Sequence, residues 1–340
     1  MAKYGIGIHG AGWVAGAHVA AYKMDSRAEV VAISSRRESS ARRLAHETDC
    51  LDASIYTSYD ELLADTRVDV ISICTPNFLH SIETVRAAAA AKHILIEKPV
   101  ALTVDELRAS RDAVRQAGVK TVVGFVLRWN PLFVIIKEQI AVQAIGRIFY
   151  SEVDYWHELG DWYPGWDWVR SRKTGGNTFL SAGCHAVDAL RYFKEQDIVE
   201  VFAYEVDDGS GTEEPSTSVL ICKFADGTIG KASSSLGINS TYQFNIDLLG
   251  EGGTIRDNRI FAKGLAGQTD YATIPTIMPN SGDVAHQPFN GEMSHLLDCI
   301  DRDEESHVNL EDAINTHEVC IAAEISATEG RPVTLPLLSD

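Results

Sequence analysis

The sequence predicts an α/β first half built on a doubly wound parallel sheet, and an α+β second half with a large, mostly antiparallel open sheet. Three observations carry this. Up to about residue 125, short Val- and Ile-rich runs alternate with helical patterns, as in a parallel sheet covered on both faces. A glycine-rich turn opens the first β–α unit. Beyond residue 198, long β-runs succeed one another with few helices between them. A chain of 340 residues fits two domains, and the change of rhythm puts the boundary after residue 127, giving 1–127 and 128–340.

In the first half the expected strands are 4–8, 30–33, 68–74, 93–96 and 120–123. Ser58 with Glu61, and Thr103 with Glu106, have the spacing of capping boxes, and Gly118 marks a helix end. After Asn130-Pro131 a helical stretch over 132–145 ends at Gly146, and 147–156 reads as a long strand. Further strands are expected at 199–205, 219–224, 228–233 and 242–249, with Asp226-Gly227 as a two-residue hairpin signal. Helices over 290–301 and 311–329 follow, stopped by Gly330-Arg331-Pro332.

Composition narrows the function. Thirty basic against 48 acidic residues give a net charge of −18, which repels nucleic-acid backbones and disfavours nucleic acid as a partner. No apolar run approaches the ~18–20 residues of a membrane helix. Met1-Ala2-Lys3-Tyr4 leads into a strand without a signal-peptide pattern, so a soluble, cytoplasmic protein is expected. The six cysteines, such as Cys74 in an apolar run, are widely spaced and read as buried thiols of a reducing compartment. The triplet Asn239-Ser240-Thr241 is then a chance match to a glycosylation site.

Gly10, Gly12 and Ala15 fit G-x-G-x-x-A, with Trp13 and Val14 at the helix start. The first glycine allows a tight turn, the second lets a pyrophosphate approach the backbone, and the small third residue lets helix and strand pack closely. This is the fingerprint of a Rossmann domain. At the end of the second strand, where NAD sites place an acid, the run is Ser34-Ser35-Arg36-Arg37. A hydroxyl and two arginines favour the 2′-phosphate of NADP, with NAD or dual use as the rival. Thr75-Pro76-Asn77, with His80 after it, and Glu97-Lys98-Pro99 follow apolar strands. Both therefore lie at carboxyl ends of the sheet, where ligands bind, although Glu97-Lys98 taken alone reads first as a surface ion pair.

With Gly175-Gly176 and Gly183-Cys184-His185-Ala186-Val187-Asp188, these blocks make the chain resemble the glucose–fructose oxidoreductase/inositol dehydrogenase/rhizopine catabolism family, Gfo/Idh/MocA. The resemblance runs through almost the whole chain, including Glu292, His295-Leu296 and Cys299-Ile300. It implies that Asn77 and Glu97 contact the nicotinamide-side ribose. It also implies that Lys98 reaches cofactor and substrate hydroxyl, and that His185 is the acid/base. An ordinary imidazole, with a pKa near ~6.5, exchanges protons near neutral pH. One position departs: many members place an aspartate four residues before the histidine, where this chain has Ser181.

Residues 155–170 hold four of the six tryptophans. Trp156, Trp162 and Trp166 with Arg170 suit a loop that stacks on sugar faces, and equally a buried aromatic cluster. Arg128 is expected at the nicotinamide end. The expectation is an NAD(P)-dependent oxidoreductase moving a hydride to or from a secondary hydroxyl or ketone of a sugar, polyol or glycoside. Lys98 and His185 would be catalytic, and Trp156, Trp162, Trp166, Arg170 and Ser181 would line the substrate. No metal is expected: His157, His185 and Asp188 lack metal-ligand spacing. The alternatives are a glycosidase working by transient oxidation with bound NAD, and a non-catalytic nucleotide and sugar sensor. The partner is a small carbohydrate or polyol, and assembly to a homodimer or homotetramer through the second-domain sheet is expected.

Overall fold

The computed structural model describes residues 4–207, 209, 211–279 and 287–338. The reading of Met1, Ala2 and Lys3 falls outside them. The chain forms two compact units, one of Met1–Val126 with Pro288–Ile314 and one of Leu127–Gln287 with Asn315–Asp340.

The first unit carries six parallel strands: β1 (Tyr4–His9), β2 (Ala28–Ser34), β3 (Ser54–Tyr56), β4 (Val70–Ile73), β5 (His93–Ile96) and β6 (Thr121–Val123), in the order β3-β2-β1-β4-β5-β6. Consecutive residues Val70, Ile71, Ser72 and Ile73 are all buried, as are Ile94, Leu95 and Ile96, so both faces of the sheet are covered. The order reverses between β1 and β4, and the crevice at such a switch point is where ligands bind. Thr103 starts the helix Val104–Ala117 with the expected capping box, and Gly118 ends it at φ 64°. Ser58 precedes the helix Tyr59–Ala64, but its side chain makes no cap bond.

The helix Phe289–Arg302 belongs to this unit, which a single break after residue 127 does not express. Its Phe289, Met293, Leu296 and Leu297 are buried, and it packs against the helix Ala15–Met24. Arg27 reaches back to Asp298 and Asp301, at 2.7 Å each.

The second unit holds nine strands: β7 (Ile148–Trp156), β8 (Ile198–Val206), β9 (Thr217–Phe224), β10 (Ile229–Ser235), β11 (Gln243–Gly250), β12 (Gly253–Arg256), β13 (Arg259–Ala262), β14 (Ala272–Thr273) and β15 (Val333–Thr334). Their order is β14-β13-β12-β11-β7-β10-β9-β8-β15. Among these pairs β10 runs parallel to β7 and the others are antiparallel. Asp226-Gly227 lies in the β9–β10 turn, where Thr228 donates to the Asp226 carboxylate through its amide and its hydroxyl. The helix Cys184–Lys194 packs on β7 and β10 and covers one face of the sheet.

Candidate active site

In the first unit the site begins where β1 runs out. Gly10 has φ 101°, and a Cβ there would lie 2.5 Å from the Cys74 carbonyl oxygen, so glycine is required twice over. The turn feeds the helix Ala15–Met24, with Val14 at its N-cap and no acidic side chain in its first turn. The first amides of that helix thus present a positive end to an anion. Trp13 stands 47% exposed beside the turn. At the tip of β2, Ser35 is half-buried and donates its amide to the Tyr56 carbonyl at 3.1 Å. Arg36 and Arg37 are exposed.

The tips of β4 and β5 bring the other two motifs to the same edge. Thr75 donates its hydroxyl to Glu83 at 2.5 Å, and Asn77 is buried at the start of a short 3₁₀ turn. Glu83 also meets His9 Nε2 at 2.9 Å, while His9 Nδ1 lies 2.5 Å from Ser34 Oγ. Three strand tips are thereby joined below the turn, by a histidine and a glutamate that the motifs did not single out.

Lys98 is half-buried beside buried Glu97, whose carboxylate accepts from the Lys98 amide at 3.2 Å. Glu97 Oε1 lies 3.0 Å from His18 Nε2, and His18 Nδ1 lies 2.8 Å from Ser72 Oγ and 3.3 Å from Cys74 Sγ. Burial alone would push Glu97 up. The His18 bond and charge outweigh it, with Lys98 and His80 adding to them, and hold the carboxyl below the usual range. Burial would likewise lower His18, but the Cys74 sulfur and the Glu97 carboxylate raise it above an ordinary imidazole. Glu97 is therefore a carboxylate held by an imidazolium.

His80 lies against the backbone of both motif loops. It is buried, with Nδ1 2.7 Å from the Pro99 carbonyl and Nε2 2.7 Å from the Thr75 carbonyl. The ring thus lies between the two motif loops, within hydrogen-bond distance of a backbone carbonyl of each.

In the second unit a π-helical turn, Phe179–Gly183, runs into the helix Cys184–Lys194, and His185 sits in its first turn. Such wide turns are often found at functional sites. The His185 ring lies near-parallel to Tyr155, with centroids 6.1 Å apart and planes at 22°. Tyr155 Oη is 3.4 Å from His157 Nδ1, and Tyr242 meets both rings edge-on. Trp162, 49% exposed, lies 6.1 Å from His157. A polar-edged aromatic wall beside the histidine suits a carbohydrate face.

Residues 4–125 match the family described as "Oxidoreductase family, NAD-binding Rossmann fold", GFO/IDH/MocA, and residues 133–256 match its C-terminal domain. The chain belongs to the GFO/IDH/MocA oxidoreductases. It is 26% identical to the scyllo-inositol 2-dehydrogenase (NAD(+)) of Bacillus subtilis over 288 residues, covering 81% of this chain and 80% of that one. It is 28% identical to D-xylose 1-dehydrogenase (NADP(+)) 2 of Haloferax volcanii over 315 residues, covering 91% and 93%. The fold matches that of levoglucosan dehydrogenase in complex with NADH and levoglucosan, at a TM-score of 0.88, 21% identity, and 99% and 100% coverage.

Three residues expected at the ligands make hydrogen bonds within the protein. Trp156 points to the sheet face opposite Tyr155, because side chains alternate along β7, and its indole N–H donates to Ser233 Oγ at 2.8 Å. Ser181 donates to the Gly175 carbonyl at 2.9 Å and so ties the glycine-rich loop. Arg128 is buried and forks onto Asp188 at 2.9 and 2.5 Å, a pair whose disruption costs about 3–5 kcal/mol. Trp166 begins a short helix, Trp166–Val169, and Arg170 after it is exposed. Tyr155, His157 and Tyr242 were legible only as members of an aromatic-rich stretch or as strand residues.

Proposed function

We propose that this enzyme is a cytoplasmic NAD(P)-dependent dehydrogenase or reductase acting on a secondary hydroxyl or ketone of a sugar, polyol or glycoside. The observation that carries it is Lys98 at the tip of β5, beside a Glu97 carboxylate held by His18. The Gly10 turn, packed too close to the Cys74 backbone for a Cβ, leads into a helix with no acidic side chain in its first turn, which suits the pyrophosphate of a dinucleotide. When bound, nicotinamide accepts or donates the hydride. Gly10, Gly12, Trp13 and Val14 seat the pyrophosphate; Thr75, Pro76 and Asn77 line the crevice; Asn77 and Glu97 hold the nicotinamide-side ribose. Lys98 steadies charge on the substrate oxygen, and His185 takes or returns its proton. Trp162, Trp166 and Arg170 contact the sugar.

The inositol, xylose and levoglucosan enzymes named above support this substrate class. Six cysteines, all free, agree with a reducing compartment. No helix among the described residues is long and apolar enough to cross a membrane.

NADP is the preferred cofactor in this reading. Ser35, Arg36 and Arg37 offer charge-assisted hydrogen bonds to a 2′-phosphate, each worth about one to two powers of ten in affinity. Titration with each nucleotide should show NADP bound at least ~10-fold more tightly, and Ser35→Asp should reverse the order. Equal affinities in the wild type, Ser35→Asp and Arg36→Ala proteins would contradict it.

The face of the nine-stranded sheet turned away from the helix Cys184–Lys194 carries exposed Tyr204, Val219, Ile221 and Phe261. Apolar surface of this kind marks an association site. The enzyme should sediment as a homodimer or homotetramer at micromolar concentration, and Ile221→Glu should shift it towards monomer. A stable wild-type monomer would refute the assembly.

A further inference from the structure

Glu292 is wholly buried, and neither of its carboxyl oxygens has a hydrogen-bond partner among the described residues. Buried polar groups are nearly always paired, so this acid needs an explanation. It lies on the helix Phe289–Arg302 one turn after Phe289, whose ring packs 5.0 Å from His18. The groups facing it are His18 and Tyr22 from the helix Ala15–Met24, Glu97 from the tip of β5, and Cys74 through its contact with His18. Lys98 and His80 act on Glu97 in turn. Two buried carboxyls therefore act on one imidazole and on each other, and the imidazole's hydrogen bond goes to Glu97.

We propose that Glu292 is a positioning residue: it carries the proton of the Glu97/Glu292 pair, so that Glu97 alone stays anionic and offers the cofactor ribose the lone pairs left beyond its His18 and Lys98-amide contacts. The proposal rests on the ribose contact that the proposed function assigns to Glu97. Its physical basis is that like charges in one desolvated site do not both ionise, so one member takes the proton. The member lacking a hydrogen bond is the cheaper one to protonate. In accord with this, burial first, and then the Glu97 charge, push the Glu292 carboxyl well above its usual range.

The consequence for pH has a definite sign. An unfolded chain gives up the Glu292 proton near the ordinary carboxyl value, whereas the folded chain retains it to higher pH. Stability from this group is thus complete below the ordinary value and is lost as pH rises towards the raised one. Ionisation of Glu292 also sets a second charge against Glu97 and competes for the His18 proton, so cofactor affinity falls on the alkaline side.

The test is nucleotide affinity and thermal midpoint of the full-length enzyme from pH 5 to pH 10, for wild type and Glu292→Gln, with Glu292→Met as a second neutral variant should the first fold poorly. NAD and NADP are the probes. The expected result is an alkaline loss of affinity of about tenfold, the size of one charge-assisted hydrogen bond, that is smaller or shifted upward in both variants. The acid limbs should coincide, and the variants' midpoints should fall less steeply with pH. Coincident binding curves overturn the positioning role, even where the midpoints differ. Absence of nucleotide binding at every pH would instead sink the proposed function, while the midpoints still report which carboxyl holds the proton.

Discussion

Replacing Lys98 with methionine is expected to lower kcat for sugar oxidation by about 10²–10³-fold, the usual cost of removing one group that meets developing negative charge. Lys98 is half-buried, and its backbone is fixed by the amide bond to Glu97 and by the His80 bonds to Thr75 and Pro99. The ammonium is thus delivered from a rigid strand tip. Methionine preserves the stem and deletes the charge, so the loss should fall mainly on kcat, with KM changed less. Lys98→Arg should not restore the rate, because a planar fork does not replace a compact charge. Steady-state kinetics of the three proteins check this; equal kcat in wild type and Lys98→Met would remove the residue from the chemistry.

His185→Asn is expected to cost about 10²–10⁴-fold in kcat/KM, the range for loss of a positioned acid/base. The imidazole has no carboxylate one turn before it, since Ser181 stands there and is turned to Gly175. The Tyr155 ring lies against it, with the aromatic wall beyond. The wild-type profile of kcat/KM against pH should carry an acid limb that vanishes in His185→Asn. An unchanged profile would assign proton transfer to another group, with Tyr155 and His157 as candidates in the same wall.

The parallel sheet was legible because its strands are buried on both sides, and continuous runs such as Val70-Ile71-Ser72-Ile73 have no other use in a chain of this polarity. β3 escaped notice because it is three half-buried residues with no such run. The Thr103 cap formed and the Ser58 cap did not, although their spacing is the same. Spacing sets which residues are near, and local backbone geometry sets whether the bond is made.

Return of the helix Phe289–Arg302 to the first unit has no local signal, since an apolar stripe does not name the surface it covers. Trp156 is set apart from the neighbouring aromatic Tyr155 by parity, which aromatic density does not express. Alternation along β7 separates Trp156 and Asp154 from Tyr155 and Val153, and was already present in the sequence. The His18–Glu97 pair and Glu292 were not legible, because buried charge pairing depends on contacts between residues tens to hundreds of positions apart.

The most direct test is the rate of nicotinamide reduction with NAD and with NADP across a panel of sugars, inositols and glycosides, measured for wild type and Lys98→Met. The account predicts turnover of at least one sugar or polyol by the wild type, lost by about 10²-fold or more in the variant. It is contradicted if no member of the panel is oxidised, and no matching ketone reduced, while Lys98→Met binds cofactor and sugar as the wild type does.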